Sequence, residues 1–332
     1  MSDPRPVAVT GLSILTALGR GPEAQLASTP AFTEITRFDT SARRVHHAAT
    51  AAETGTLEEE LDLAIATACA QAGVDRRTTP LLLALHTAPA RDFGQRRVYT
   101  SACVSASTAL ADAATLIRTG RADRIVVAAA YLVEPHQHAL FDAGRALSTD
   151  GAVRPFSLHR QGTLLGDGVA AVVLEAGEGL AELVGWARAG DAYHPCQPAP
   201  DGRGLAAAIQ AALTKANVAP EEVGYLNANA TGTVFSDAAE AAALNQVFRP
   251  AVSSTKSLHG HALEASGLVE FVVLVQALRE GKLPVNGGYL DVDPACGVDL
   301  ILEVPRPAGS PYGMSVNSAF GGANTALVVR AG

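Results

Sequence analysis

The chain has 332 residues, of which 48% are hydrophobic, 17% charged and only 5% aromatic, with a formal net charge of −8. That apolar content is enough for a large core, in one big domain or two fused halves, and the negative balance disfavours a nucleic-acid role. No run of 18 apolar residues occurs, and the most apolar helical stretch, LVEFVVLVQAL (268–278), carries Glu270 and Gln276, so it reads as a buried core helix and no membrane span is expected.

In chain order, MSDPRPVAVTG has no apolar signal core, which gives a cytoplasmic expectation. VAVTGL (7–12) reads as a first strand and Gly turn, and LEEELDLAIATACAQAG (57–73) as an amphipathic helix ending at Gly73. TPLLLALHTA (79–88) is a buried strand, VSASTALADAATLIRTG (104–120) a helix and RIVVAAAYL (124–132) a strand. GVAAVVLEAG (168–177) and AELVGWARAG (181–190) read as an antiparallel pair. A helix (202–218), a strand (223–228), a helix (237–248) and a longer helix (about 262–280) follow, and MSVNSAFGGANTALVVRA holds two strands around a Gly-Gly turn. Such alternation predicts α/β layers with mixed sheets.

An internal echo supports duplication. GDGVAAVVLE (166–175) and GGANTALVVR (321–330) match in pattern, Gly166 with Gly321, Ala171 with Ala326 and Val173 with Val328. Two halves are therefore expected, 1–176 and 177–332.

The cysteines at 69, 103, 196 and 296 form no C-x-x-C pair and lie near no His at metal-ligand spacing. Reduced thiols are expected for Cys69, Cys196 and Cys296. Cys103, in VYTSACVSASTAL (98–110), stands at a strand-to-helix junction, where the helix N-terminus is expected to lower its pKa. Small neighbours, Ser101, Ala102, Ser105 and Ala106, would let a substrate approach. Position alone also allows an inert core Cys. In SSTKSLHGHALEASGLVE (253–270), His261 follows Gly260, with Lys256 before it and Glu270 after it. A structural role is the commoner fate of a lone His, and His259 shares the ambiguity, yet one Cys with distant His and Asn residues is a layout for thiol catalysis. In NSAFGGAN (317–324), Phe320 with Gly321 and Gly322 forms either an ordinary hairpin or a turn aiming an N–H at an anion.

Taken together, these loops resemble the condensing branch of the thiolase superfamily, and within it the elongating β-ketoacyl-(acyl carrier protein) synthases. The matching pieces come in family order: VAVTGLSILTALGRG (7–21), TSAC with Cys103, GRALSTDGAVRPFSLHRQGTLLGDGVAAVVLE (144–175), GDAYHPCQPAPDG (190–202), VGYLNANATGTVFSDAAEAAAL (223–244), the Lys256–His261 segment and NSAFGGAN. The resemblance implies an α/β thiolase-like fold, a duplicated αβαβα five-layer arrangement, as a homodimer or a heterodimer with a related subunit. It implies that Cys103 takes an acyl group from an acyl carrier protein or acyl-CoA, with oxyanion binding by the N–H groups of Cys103 and Phe320. It also implies that Lys256 and Glu270 orient the histidine region, and that Thr231, Thr233 and Ser318 contact substrate. No metal or cofactor is implied beyond the phosphopantetheine that arrives on the substrate.

The sequence departs from that pattern in ways that bear on chemistry. The family loop reads Asn-Ala-His-Gly-Thr-Gly-Thr, whereas here Asn227, Ala228, Asn229, Ala230, Thr231, Gly232 and Thr233 stand in line. Asn229 occupies the place of the first histidine. Its amide can donate a hydrogen bond to an oxygen but cannot relay a proton. Weak or absent malonyl decarboxylation is therefore expected, with acyl transfer to an amine, alcohol, thiol or malonyl carbon. A decarboxylating ketosynthase with a Cys-Asn-His site is the alternative, and a non-catalytic chain-length-factor-like partner a further one, which the presence of Cys103, His261 and Lys256 argues against. Ser318 and Ala319 replace a Phe and a Gly, Gln161 and Thr163 replace an Asp and a Phe, and the chain is short between its opening strand and Cys103. A more open pocket or reliance on a partner subunit is expected to follow. Arg96 and Arg97, or Arg118, Arg121 and Arg124, offer either solvated surface charge or a dock for an acidic carrier.

Overall fold

The structure, a computed structural model, describes residues 5–332, so the leader reading of Met1–Pro4 lies outside the described residues. The first half contributes β1 (Val7–Thr16), β2 (Leu81–Ala84), β3 (Gln95–Tyr99), β4 (Arg124–Tyr131) and β5 (Gly168–Ala176), hydrogen-bonded in the order β3-β2-β4-β5-β1. The second half contributes β6 (Ala181–Gly190), β7 (Val223–Asn227), β8 (Ala251–Ser253), β9 (Tyr312–Ala319) and β10 (Ala323–Ala331), and repeats the pattern as β8-β7-β9-β10-β6. β1 and β6 join the halves through Ala8↔Glu182 and Val9↔Ala181. The echoing segments become β5 and β10, which occupy equivalent places in the two halves of this continuous sheet.

The helices are α1 (Leu57–Ala72), α2 (Ser105–Arg118), α3 (Pro135–Ala143), α4 (Arg203–Ala216), α5 (Val234–Val247), α6 (Lys256–His259) and α7 (Ser266–Glu280). Three apolar clusters separate five layers. Val169, Ala171 and Val173 of β5 pack with Leu61 and Ile65 of α1 on the outside. Ala170, Val172 and Leu174 face the central layer of α2 and α7. Met314, Val316, Ala326 and Val328 of β9 and β10 meet α4 and α5 on the far side. Both faces of β5 are buried, which explains its unbroken apolar run. The fold is thiolase-like, αβαβα.

α2 and α7 pass unusually close. A Cβ added at Gly267 would lie 2.8 Å from the Ser107 amide nitrogen, so only glycine permits this approach. α7 is buried along Ser266–Leu278, including Glu270 and Gln276. α1 starts with a capping box, Thr56 with Glu59, and ends at Gly73 in the left-handed conformation.

Some expectations are corrected. The segments 168–177 and 181–190 do not pair with each other, because β1 lies between them and is antiparallel to both. The helix expected over 262–280 starts at Ser266, preceded by α6 and a separate 3-10 turn, Leu263–Ala265. The strand expected over 79–88 is confined to Leu81–Ala84, and the helix expected from 237 begins at Val234. α3 was not foreseen: PHQHALFDA mixes polar and apolar residues with no clear face. Among the described residues no helix is long and apolar enough to cross a membrane.

Candidate active site

Two equivalent turns build the site. After β3 the chain enters a 3-10 turn, Ala102–Val104, that leads into α2. Ala102 has a φ of 49°, a left-handed backbone that costs an alanine strain. The second half repeats this before α7, where Leu263 has a φ of 44°. The residues presented next are Cys103 in the first turn and Glu264 in the second.

His261 completes the pair. It follows α6 and Gly260 (φ 76°), and its backbone N–H donates to the Leu164 carbonyl at 2.8 Å. Its Nε2 lies 3.1 Å from Cys103 Sγ, and its Nδ1 lies 2.8 Å from Ser266 Oγ. Burial holds the His261 pKa well below the usual 6.5, with the Lys256 charge acting in the same direction. Burial pushes the Cys103 thiol up to about 12, reinforced by Glu264 and opposed by Lys256 and by its own amide N–H. The expected thiolate is thus corrected. A 3-10 turn separates the sulfur from α2, and desolvation outweighs the helix terminus. The resting pair is a neutral thiol donating to a neutral imidazole.

Asn229 follows β7. Its N–H donates to Glu240 Oε1 at 2.8 Å, and Lys256 Nζ donates to its Oδ1 at 3.4 Å. An ammonium only donates, so this contact fixes which side-chain atom is the oxygen. The Lys256 ammonium also lies 2.5 Å from Glu270 Oε1, with both side chains fully buried. Glu270 Oε2 accepts from Asn317 Nδ2 at 2.6 Å. Asn227 is structural, tying the end of β7 to Thr255. His259 is also structural: Nε2 meets Thr255 Oγ1, Nδ1 meets the Gly260 carbonyl, and burial lowers its pKa to about 4.

A cavity of about 430 Å³ brings Cys103, Asn229 and His261 together with Thr231, Thr233, Ser318 and Phe320. The Thr231 and Thr233 hydroxyls pair at 3.1 Å, and Ser318 Oγ donates to Asn324 Oδ1 at 2.6 Å. Lys256 and Glu270 stand behind the wall rather than on it. Phe320 is exposed, and its amide N–H has no partner among the described residues. Gly321 and Gly322 have φ of 86° and 72°, and a Cβ on Gly322 would meet that of Asp191 at 2.8 Å.

The same cavity is lined by Glu240, Arg145 and Phe235, which sequence reasoning did not single out, and by Cys196. Burial, with Asp237 adding to it, raises the Glu240 pKa to about 8. Cys196, expected to be bland, is an exposed thiol on this wall. Of the arginines weighed as a dock, Arg97 lies over Tyr99, Arg118 over Trp186, and Arg124 pairs with Glu175. Gln161 bonds Thr149, and Thr163 lines the cavity. No group of three His, Cys, Asp or Glu among the described residues is placed to hold a metal ion.

Two equivalent sheet halves around two buried helices, with a cysteine and a histidine in contact where those helices begin, define a thiolase-fold protein with a thiol–imidazole centre. Comparison with known proteins narrows this. The family description "Beta-ketoacyl synthase, N-terminal domain" matches residues 94–178, and "Beta-ketoacyl synthase, C-terminal domain" matches residues 180–289. Nodulation protein E of Rhizobium leguminosarum bv. trifolii is 39% identical over 249 residues, covering 70% of this chain and 60% of that protein. A 3-oxoacyl-[acyl-carrier-protein] synthase 2 of Staphylococcus aureus is 33% identical over 255 residues, covering 71% and 63%. The match thus spans less than two thirds of either relative. A β-ketoacyl synthase from Burkholderia phymatum STM815 superposes with a TM-score of 0.90 at 26% identity, over 99% of this chain and 100% of that one. The ishigamide ketosynthase/chain length factor shares the fold, with a TM-score of 0.91 at 24% identity over the same shares. The chain belongs to the β-ketoacyl synthase family.

Proposed function

We propose that this protein is a ketosynthase-like acyltransferase of fatty acid or polyketide-type biosynthesis. It takes an acyl group from an acyl carrier protein, or from acyl-CoA, onto Cys103 and passes it to a second acceptor, with little or no malonyl decarboxylation. The observation that carries this reading is the Cys103–His261 contact of 3.1 Å in a cavity where Asn229 is the third polar partner.

In the first half-reaction Cys103 gives its proton to His261 Nε2 as the sulfur attacks the thioester carbonyl. The oxyanion is received by the N–H groups of Cys103 and Phe320. Collapse expels the pantetheine thiolate, which takes the proton back from Nε2. In the second half-reaction the acceptor gives its proton to Nε2 and attacks the acyl carbon, and the departing Cys103 thiolate recovers that proton. One imidazole serves both halves, so the cycle needs no second histidine. Asn229 has its oxygen turned to Lys256, which leaves its NH₂ group to donate to a carbonyl in the cavity. That same donor favours the second reading, a decarboxylating synthase in which Asn229 steadies the enolate oxygen.

Relatives whose structures contain a chain length factor or a carrier protein suggest a partner of ketosynthase fold and a carrier as donor for this chain too. The test is intact-protein mass spectrometry with an acyl-loaded carrier followed by a malonyl carrier. Acyl mass on Cys103 without loss of carbon dioxide is expected. Conversion of the malonyl carrier to a β-ketoacyl carrier would favour the second reading, and no mass gain on Cys103 would remove both. Asn229→His is expected to confer chain extension.

A further inference from the structure

Glu264 occupies, in the second half, the place Cys103 occupies in the first. Each follows a left-handed non-glycine residue in a 3-10 turn, Ala102 in one case and Leu263 in the other, and each turn feeds a central helix. The two turns pack against each other, and the Glu264 turn also packs on β4. A carboxylate is therefore presented beside the nucleophile by the same device that presents the thiol.

The Glu264 carboxylate is buried, with the residue 6% exposed. Its Oε1 meets Nδ1 of His86, from the loop after β2, at 2.9 Å. Its Oε2 has no hydrogen-bond partner among the described residues. A second orphan lies on β4: Tyr131, its last residue, is 3% exposed, and its hydroxyl is also without a partner among the described residues. Burial and the carboxylates of Glu134, Asp167 and Glu264 raise the Tyr131 pKa well above its usual value, so its O–H stays a donor. The cavity that holds Asn229 and Thr231 is lined by neither residue. Two buried polar atoms without a protein partner, one on the turn that packs against the Cys103 turn and the other on the strand beneath it, are a standing cost unless a ligand or a water pairs them.

We propose that Glu264 and Tyr131 form a polar recognition site for the acyl group carried on Cys103, selecting a chain with a hydrogen-bond-donating substituent, a hydroxyl or an amine, close to the thioester. The substituent donates to Glu264 Oε2, and the Tyr131 hydroxyl donates back to its oxygen or, for an amine, to Glu264. His86 caps the carboxylate from the solvent side. This rests on the acyl-transfer reading of Cys103 and names the class of acyl group. A site built to bond a substrate hydroxyl discriminates strongly against the analogue lacking it, because its own polar groups are then left unpaired.

The experiment compares loading of Cys103 by the N-acetylcysteamine thioesters of 3-hydroxyhexanoate and hexanoate, followed by intact-protein mass spectrometry. The unmodified protein is expected to load the hydroxylated chain at least about tenfold faster. Glu264→Leu is expected to reverse that ratio, and Glu264→Gln, which keeps the shape and the fold, to reduce it to within about threefold. Tyr131→Phe should lower the ratio without reversing it. Equal or faster loading of hexanoate overturns this proposal while leaving acyl transfer intact, as does an unchanged ratio in Glu264→Gln. Failure of both thioesters to load overturns the acyl-transfer reading and this one together.

Discussion

Lys256→Met tests how the buried charges behind the cavity are balanced. The ammonium and the Glu270 carboxylate are both fully buried at 2.5 Å, and among the described residues the only other partner of that carboxylate is Asn317 Nδ2. Removing one member of such a pair strands the other, at about 3–5 kcal/mol. Glu270 has one escape, which is to take a proton. At pH 7 protonating a carboxyl whose unfolded pKa is about 4.3 costs about 3.7 kcal/mol, and at pH 5 about 1 kcal/mol. The loss is therefore capped near about 4 kcal/mol at pH 7 and falls to about 1 kcal/mol at pH 5.

The sign follows from burial, which already raises the Glu270 pKa and meets no opposing charge once Lys256 is gone. A carboxyl with its folded pKa above its unfolded one favours the fold below the unfolded pKa and loses that contribution as pH rises. Urea unfolding of Lys256→Met at pH 5 and pH 7 measures it. At pH 7 the double variant Lys256→Met/Glu270→Leu should recover all but about 1–2 kcal/mol, the remainder reflecting unpaired Asn317 and Asn229. The same loss at both pH values, or a double variant no more stable than the single one at pH 7, would refute the reasoning.

Three further outcomes are expected. The acyl-loading rate of Cys103 should stay nearly flat from pH 7 to 9, because the thiol is pushed up to about 12 and His261 lies well below 6.5; a midpoint near 6.5 in single-turnover loading would contradict this. His259, lowered to about 4, stays neutral in the fold while the unfolded chain charges near 6.5. Its contribution is present above 6.5 and is lost as pH falls toward 4, on the order of 3 kcal/mol, so His259→Gln should flatten the acid limb of the stability curve. Gly166→Ala places a Cβ 1.9 Å from the His259 carbonyl oxygen and should cost more than about 3 kcal/mol by thermal unfolding, whereas Gly177→Ala, with nothing within 4 Å, should pay only for its backbone, about 1 kcal/mol.

Much of the layering was legible because both faces of β4 and β5 are buried and leave unbroken apolar runs at strand length. Cys103 was legible because small residues surround it just before a helix. Strand pairing was misjudged where it depends on duplication: β1 separates β5 from β6 because each half places its first strand at the shared edge. Glu264 was not legible. In ALEASG it reads as an ordinary acid opening a helix, and its partner His86 lies 178 residues away. Glu240 was hidden for a different reason. Its residue type and helix position suit a surface carboxylate, and only the path of the loop after β7 turns it inward against the Asn229 amide.

The helix terminus and desolvation act on Cys103 in opposite directions, and their magnitudes decide between them. A helix N-terminus in a partly buried setting is worth at most about 2 kcal/mol, little more than one pH unit. The thiol nevertheless stands at about 12 against a usual 9.0, with Glu264 adding to burial. The terminus therefore reduces the cost of the thiolate without reversing it. A free thiolate would also need an imidazolium 3.1 Å away, and that cation is opposed by burial and by the Lys256 charge. Both charged partners are thus disfavoured before a thioester arrives. In the proposed acyl transfer, negative charge is tolerated only once it has moved from sulfur to the carbonyl oxygen, where N–H donors would meet it. On that proposal the same penalty on the imidazolium drives the proton back to the departing thiolate, so a site that resists ionising at rest would still release its leaving group.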